Sequence, residues 1–516
     1  MSPSQSAPSS FAQLLQSRRS SRPAVLAPER APLSYAELAD LAEACRSHLN
    51  GQGIGRDDRV AIVLPNGPEM ATAFLAIGGA ATTCPLNPAY REDEFAFYLD
   101  DLNAKALVLP TGSDSPAGAV ARARGIQVIE LQHDEAGPAG AFTLVGGAGS
   151  GSPTSGGESE AGDLALILHT SGTTSRPKIV PLSQANLLAS AKHISTTLDL
   201  GEADRCLNVM PLFHIHGLIA AVLSTLYSGG SIYCAPGFNA LRFMAWLAEA
   251  KPTWYTAVPT MHQAILARGK RQADAAAAAG LRFIRSSSAS LPPQVMQAVE
   301  ALFACPVIES YGMTEASHQM ASNELPPGQR KAGSVGRPAG PEVALLTPEG
   351  EVSAAADIEG EVIIRGPNVT AGYESNPKAN AEGFLQQPDG AWFRTGDQGR
   401  FDADGFLAIT GRLKEIINRG GEKVSPREVD EILLDHPAVA QAVTFAMPHE
   451  KLGEEVAAAV VLAEGESVEE RALKDFLSAR LTDFKVPRRI VFLEEIPKGA
   501  TGKLQRIGLA QKLGLG

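Results

Sequence analysis

The sequence is poor in cysteine and arranges none of it in a pattern. Its five cysteines (Cys45, Cys84, Cys206, Cys234 and Cys305) are scattered, and no pair has C-x-x-C spacing. That argues against a zinc site or a thiol redox motif and fits small core residues in a reducing compartment. No apolar run reaches the roughly 18 residues a membrane span needs, so none is expected. Basic residues are in deficit, 45 Lys and Arg against 57 Asp and Glu for a net charge of −12, which argues against nucleic acid or an anionic membrane as the main partner. The Walker pattern G-x-x-x-x-G-K-[ST] is missing where a phosphate loop would otherwise be sought. Acids are missing before Glu29 in a serine-rich start carrying Arg18, Arg19 and Arg22. That composition is of transit-peptide type. Against it, Phe11, Leu14 and Leu15 read as the start of a folded helix and Pro23–Leu26 as a first strand.

What is present is enough for two or more domains: 516 residues with 44% apolar content. The chain is organised around residues 164–188. Leu164 to Leu168 reads as a buried strand. A hydroxyl-rich loop follows, Thr170-Ser171-Gly172-Thr173-Thr174, then Arg176, Pro177 and Lys178. Ser183 is placed to cap a helix whose apolar face is Leu187, Ala191, Ile194 and Leu198. Backbone N–H groups, hydroxyls and a lysine on such a loop are suited to holding phosphate oxygens.

Elsewhere strands and helices alternate. Helices are read at Ser34–Leu49, Glu69–Ala80 and Glu92–Leu102; strands at Arg59–Leu64, Ala106–Leu109, Cys206–Met210, Ser231–Cys234 and Tyr255–Val258. The pattern predicts an α/β fold with parallel sheets. Ala136–Ala161, rich in Gly and Ser and without a period, reads as a flexible connection. From Gly333 short strands between Gly, Pro and Asp turns predict a small β-rich subdomain. The last hundred residues predict a small α+β domain. The expected division is 1–413 for the large N-terminal domain and 414–516 for a mobile C-terminal one, hinged near Lys414.

Four further stretches combine chemistry-bearing side chains: Ser310-Tyr311-Gly312-Met313-Thr314-Glu315, Thr395-Gly396-Asp397, Gly411-Arg412, and Pro497-Lys498-Gly499-Ala500-Thr501-Gly502-Lys503. Each alone has a plain structural reading as a turn or a solvated loop; their order and span are far more specific. Together with the central loop they resemble the adenylate-forming superfamily of acyl- and aryl-CoA synthetases, luciferases and peptide-synthetase adenylation domains, over about Phe11 to Leu509. Within it, HTSGTTSRPK, PLFHIHGL, TWYTAVPTMHQ, RFIRSSSASL and YGMTEASHQM are most similar to the oxalate–CoA ligase group.

The resemblance implies roles for individual residues. Thr170, Ser171, Gly172, Thr173, Thr174 and Lys178 would hold the β and γ phosphates of ATP. Tyr311 would stack on adenine, in an ATP site that also takes in Ser290, Glu309 and Ser310. Thr314 would contact the α-phosphate, and Glu315 would hold Mg²⁺. Asp397 and Arg412 would bind the ribose. Lys503 would reach the α-phosphate and the attacking carboxylate, so that Lys503, Lys178 and Thr314 form the catalytic set. Gly420 and Gly421 would line the CoA tunnel after the small domain turns about Lys414. The family often has glycine where this chain has Ser175 and Ile179.

The resemblance also implies an activity: a carboxylic acid is adenylated by ATP with release of pyrophosphate and then passed to CoA. Ser288 and His318 would pair with a second carboxylate, as in oxalate, with His214 nearby or gating the thiol tunnel; His216 reads as structural. Other acids such as malonate or 4-coumarate, a catalytically silent nucleotide-binding member, and a carrier protein supplied in trans are the alternatives. The expected location is cytoplasmic.

Overall fold

The computed structural model describes residues 7–147, 149, 151–170, 177–498 and 504–516. Among them, strands form four sheets, two of which are largely parallel. In the first, Gln127–Gln132, Ala106–Pro110, Arg59–Ile62, Thr82–Pro85 and Leu164–Thr170 lie side by side in parallel, with antiparallel Thr143–Gly146 and Lys178–Ser183 at the two edges. In the second, Val307–Met313, Phe283–Ser286, Trp254–Ala257, Arg205–Asn208, Ser231–Cys234 and Pro23–Leu26 are parallel neighbours. Strands such as Thr82–Pro85, Phe283–Ser286 and Trp254–Ala257 are buried at every position, as expected where helices cover both faces of a sheet.

One apolar core joins the two sheets. It takes in Leu166 and Val180 from the first, Trp254, Phe283 and Ile308 from the second, and Phe74, Leu187, Ala191 and Ile194 from helices Pro68–Gly78 and Gln184–Thr197. The second of these helices starts where the sequence predicts. Ser183 accepts the Asn186 N–H at 3.1 Å while the Asn186 side chain accepts the Ser183 N–H at 3.0 Å, a reciprocal cap. Leu187, Ala191, Ile194 and Leu198 are all buried.

Residues 342–412 form the predicted β-rich subdomain, an antiparallel sheet of six strands. A five-stranded sheet follows within 417–492, flanked by helices Pro426–Leu434 and Glu470–Ser478, with its own apolar core. The fold class read from the sequence, a large part with parallel sheets and a β-rich subdomain followed by a small α+β part, is the one observed.

Two local readings differ. The segment read as a flexible connection contains the strand Thr143–Gly146, whose alternating burial is too short to register as a period. The apolar helix after the Pro211–His214 turn begins as a π-helix, His216–Leu223, with every residue buried, before becoming α-helical at Ser224–Tyr227. The helix and strand read near the start are both present: Phe11–Ser17 is a helix, and Val25 of strand Pro23–Leu26 pairs with Ile232.

Candidate active site

The candidate site lies at the carboxyl ends of the second sheet's parallel strands, the place where α/β sheets bind ligands. Val307–Met313 continues beyond its parallel neighbours, turns through Thr314–Ala316 and returns antiparallel as His318–Ser322. The reversal is sharp enough to place Ser317 at φ 49° and His318 at φ 100°. A Cβ on Gly312 would lie 2.0 Å from the His318 carbonyl oxygen, so only glycine fits opposite the turn.

This turn carries Glu315 inward. Tyr373 Oη donates to Glu315 Oε1 at 2.8 Å, and the Lys178 ammonium lies 4.1 Å from the centre of the same tyrosine ring. Burial pushes the Glu315 carboxyl above the usual range, while Tyr373, Lys178 and Arg412 pull it back. Burial lowers the Lys178 ammonium; the Glu315 charge opposes that shift and the Lys414 charge adds to it. Lys178, Glu315, Tyr373 and Lys414, from four separate segments, thus act on one another. Lys178 is held by strand pairing opposite Thr170. Ile179, where the family often has glycine, is a buried strand residue opposite His169. Ser171, Gly172, Thr173, Thr174, Ser175 and Lys503 lie outside the described residues.

A second cluster surrounds Asp397. Asp397 and Arg412 stand opposite each other on adjacent strands, and Arg412 Nε donates to Asp397 Oδ1 at 2.8 Å. Tyr311 Oη donates to Asp397 Oδ2 at 2.5 Å, and Thr395 Oγ1 accepts the Asp397 N–H at 3.1 Å. The resemblance implies only stacking for Tyr311; its hydroxyl also ties the Tyr311 strand to the ribose-binding candidates. Two residues earlier, Glu309 is buried, with Oε1 accepting the Leu291 N–H at 2.9 Å. Burial pushes its carboxyl up to about 7, against a downward pull from Arg427. Ser310 is buried on the same strand, and Ser290 is partly exposed just before Leu291.

The acid-pocket candidates converge around a residue that the sequence reading set aside. His216 Nδ1 is 3.0 Å from Ser288 Oγ and Nε2 is 2.6 Å from Thr256 Oγ1. The His216 and His318 rings are 5.0 Å apart. Ser288, at φ 73°, occupies a backbone region that favours glycine, as does His318. Side chains held in such conformations cost free energy, of order 1–3 kcal/mol each, and cluster at functional sites. His214 is partly exposed, its Nδ1 accepting the His216 N–H at 3.4 Å. Two histidines two positions apart are not separable from sequence alone. The one signal favouring His216 is that it opens a long apolar run, which puts its ring on the buried side. Arg285 was missed as well; it is a lone arginine in an apolar strand and is fully buried, with Nη2 3.5 Å from His318 Nδ1 and donating to Gln319 Oε1 at 3.2 Å.

Gly420 and Gly421 form the exposed turn between strands Ile417–Arg419 and Glu422–Val424, at φ 61° and 102°. Lys414 is exposed between the β-rich subdomain and the C-terminal sheet. Arg506, three residues beyond the lysine candidate, donates to Glu415 at 3.2 Å and to Asp430 at 2.7 Å.

Residues 13–374 match the AMP-binding enzyme family model and residues 428–503 match the AMP-binding enzyme C-terminal domain. The chain belongs to the AMP-binding enzyme family. It is 46% identical to an oxalate–CoA ligase of Arabidopsis thaliana, with 93% of each chain covered. It is 43% identical to an oxalate–CoA ligase of Saccharomyces cerevisiae, over 88% of this chain and 87% of the relative. Among solved structures, ATP-bound MatB from Rhodopseudomonas palustris superposes with a TM-score of 0.86 at 28% identity, covering 97% of this chain and 98% of that one. No helix among the described residues is long and apolar enough to cross a membrane.

Proposed function

We propose that the protein is an ATP-dependent acid–CoA ligase that converts oxalate to oxalyl-AMP, releasing pyrophosphate, and then to oxalyl-CoA, releasing AMP. The observation that carries the reading is the polar pocket of Ser288, His216 and His318 at the strand ends that also carry Tyr311 and Glu315. Its similarity to two oxalate–CoA ligases over most of their length supports the choice of acid.

In the first half-reaction an oxalate oxygen attacks the α-phosphorus and the bond to pyrophosphate breaks. Two anions must approach, so positive charge has to be in place beforehand, from Lys178 and, in this account, Lys503. Asp397 and Arg412 hold the ribose, Tyr311 takes adenine on its ring, and Thr314 orients the α-phosphate. A buried second carboxylate must be paired or its desolvation is prohibitive, and Ser288 and His318 supply those donors.

Glu315 fits Mg²⁺ as part of a shared site rather than a closed cage. It is a single buried carboxylate with a lysine nearby, and no group of three metal-ligating side chains occurs among the described residues. Mg²⁺ usually binds through one or two carboxylates plus substrate phosphates. When bound it would neutralise phosphate charge.

In the second half-reaction the CoA thiol attacks the oxalyl carbonyl and AMP leaves. The account divides the chain at Lys414, into 1–413 and 414–516. Turning the small domain withdraws Lys503 and brings Gly420 and Gly421 to the thiol path. The test is pyrophosphate release with ATP, Mg²⁺ and CoA across a panel of acids. Preference for oxalate, lost in Ser288→Ala and His318→Ala, supports the reading.

A further inference from the structure

Arg285 is a buried cation with no counter-ion among the described residues. Its side chain is wholly enclosed, and its Nε and Nη1 groups have no hydrogen-bond partner among the described residues. Leaving a buried donor unsatisfied is costly, and an uncompensated buried charge costs more. Such groups in a native structure call for an explanation. Thr256 and Ile308 flank it on the neighbouring strands and His318 and Gln319 lie at its Nη2, none of them a carboxylate; His216, in contact with Ser288, joins the group through the His318 ring. The ionisable group acting on it is Cys206, whose thiol burial pushes far up and so keeps neutral. Burial lowers the guanidinium to about 9, which still leaves it charged at neutral pH.

The position of this charge matters. A guanidinium only donates hydrogen bonds. Arg285 Nη2 faces His318 Nδ1 at 3.5 Å, so a proton on Nδ1 would meet a cation, and the stable neutral ring keeps its proton on Nε2. The strained backbone of His318, at φ 100°, holds the ring in this place.

We propose that Arg285 is a positioning and specificity-determining residue: it holds His318 as the Nε2–H tautomer and supplies the positive charge that selects a dianionic acid over a monoanionic one of the same shape. The ligand rests on the oxalate reading above; the tautomer does not. Arg285 acts through His318 rather than by touching the reacting atoms. Its unpartnered charge is retained because the occupied pocket carries the matching negative charge.

The test compares oxalate as substrate with oxamate, an isosteric monoanion, as competitive inhibitor, in wild type, Arg285→Met and Arg285→Lys. The expected result is that Arg285→Met raises KM for oxalate about tenfold to a hundredfold, as for loss of a charge-assisted contact. The oxamate inhibition constant and the KM for ATP stay nearly unchanged, and Arg285→Lys recovers most of the discrimination. Equal weakening of oxalate, oxamate and ATP would show a merely structural role and overturn the proposal, as would an unchanged oxalate-to-oxamate ratio. A second readout needs no substrate. In ¹⁵N-histidine-labelled wild type, with the His318 signal assigned by His318→Gln, the proton is expected on Nε2. A proton on Nδ1 overturns the proposal. Wild type that shows the Nε2–H tautomer but does not turn over oxalate overturns the oxalate reading while supporting the positioning role.

Discussion

Tyr373 donates its hydroxyl to Glu315 at 2.8 Å, a bond that favours the ionised form of a carboxylate that burial pushes above its ordinary range. The same ring carries Lys178 over its face. A residue that no motif singled out therefore joins the phosphate lysine to the magnesium candidate.

Tyr373→Phe keeps the ring and removes the donor. The Glu315 carboxyl then rises further, because one interaction favouring its charged form is gone. Protonated Glu315 cannot hold Mg²⁺, so activity fails on the acid side. The acid limb of kcat/KM for ATP is expected to move to higher pH, and the Mg²⁺ concentration for half-maximal rate to rise. Pyrophosphate release across pH and Mg²⁺ checks this; profiles identical to wild type would contradict it.

Glu309 makes a pH-dependent contribution to stability. Its folded-state carboxyl is raised to about 7 from an ordinary value of 4.5. The native state therefore binds a proton that the unfolded chain has released, and stability falls as pH rises through that window. The slope integrates to about 3 kcal/mol at most, at 1.36 kcal/mol per pKa unit. Glu309→Gln, which keeps an oxygen for the Leu291 N–H, is expected to lose less stability than wild type between pH 5 and pH 8. Denaturant melts at the two pH values measure the difference.

Asp397 is held by Arg412 and Tyr311 at its two oxygens. Asp397→Ala is expected to raise KM for ATP about tenfold to a hundredfold, the loss of one or two hydrogen bonds to a charged group. KM for the acid should change little. An equal rise in both would mean that the variant disturbs the fold rather than the ribose site.

Ser288 separates backbone strain from side-chain chemistry. Ser288→Gly suits φ 73° and deletes the hydroxymethyl group whose oxygen lies beside His216. It is expected to fold as well as wild type and to raise KM for oxalate about tenfold. Unchanged oxalate kinetics in Ser288→Gly would remove Ser288 from the pocket.

Much of this was legible in the sequence. Capping residues and apolar spacing placed the helix after Ser183, and continuous apolar runs placed the buried strands. Clustered hydroxyls, carboxylates and lysines marked Thr170, Lys178, Glu315, Asp397 and Arg412. What was not legible depends on long-range contact. Tyr373 reaches Glu315 across 58 positions, and Arg285 reaches His318 across 33. That His216 reaches Ser288 and Thr256 depends on which ring the π-helix turns inward. The strand Thr143–Gly146 is invisible because one short edge strand among glycines has no period of its own.

The lysine candidate carries the two-step account. Lys503→Ala is expected to slow adenylation about a hundredfold to a thousandfold, the usual loss on removing a well-placed transition-state donor. Thioester formation from preformed oxalyl-AMP should survive if the proposed rotation withdraws the lysine between the two steps. Equal loss in both half-reactions would contradict domain rotation about Lys414.

The most direct measurement is pyrophosphate release by the purified protein with ATP, Mg²⁺ and CoA, across oxalate, malonate, acetate, a medium-chain fatty acid and 4-coumarate. The account predicts strong preference for oxalate with oxalyl-CoA and AMP as products. Preference for a larger or apolar acid, or no release with any of them, would contradict it.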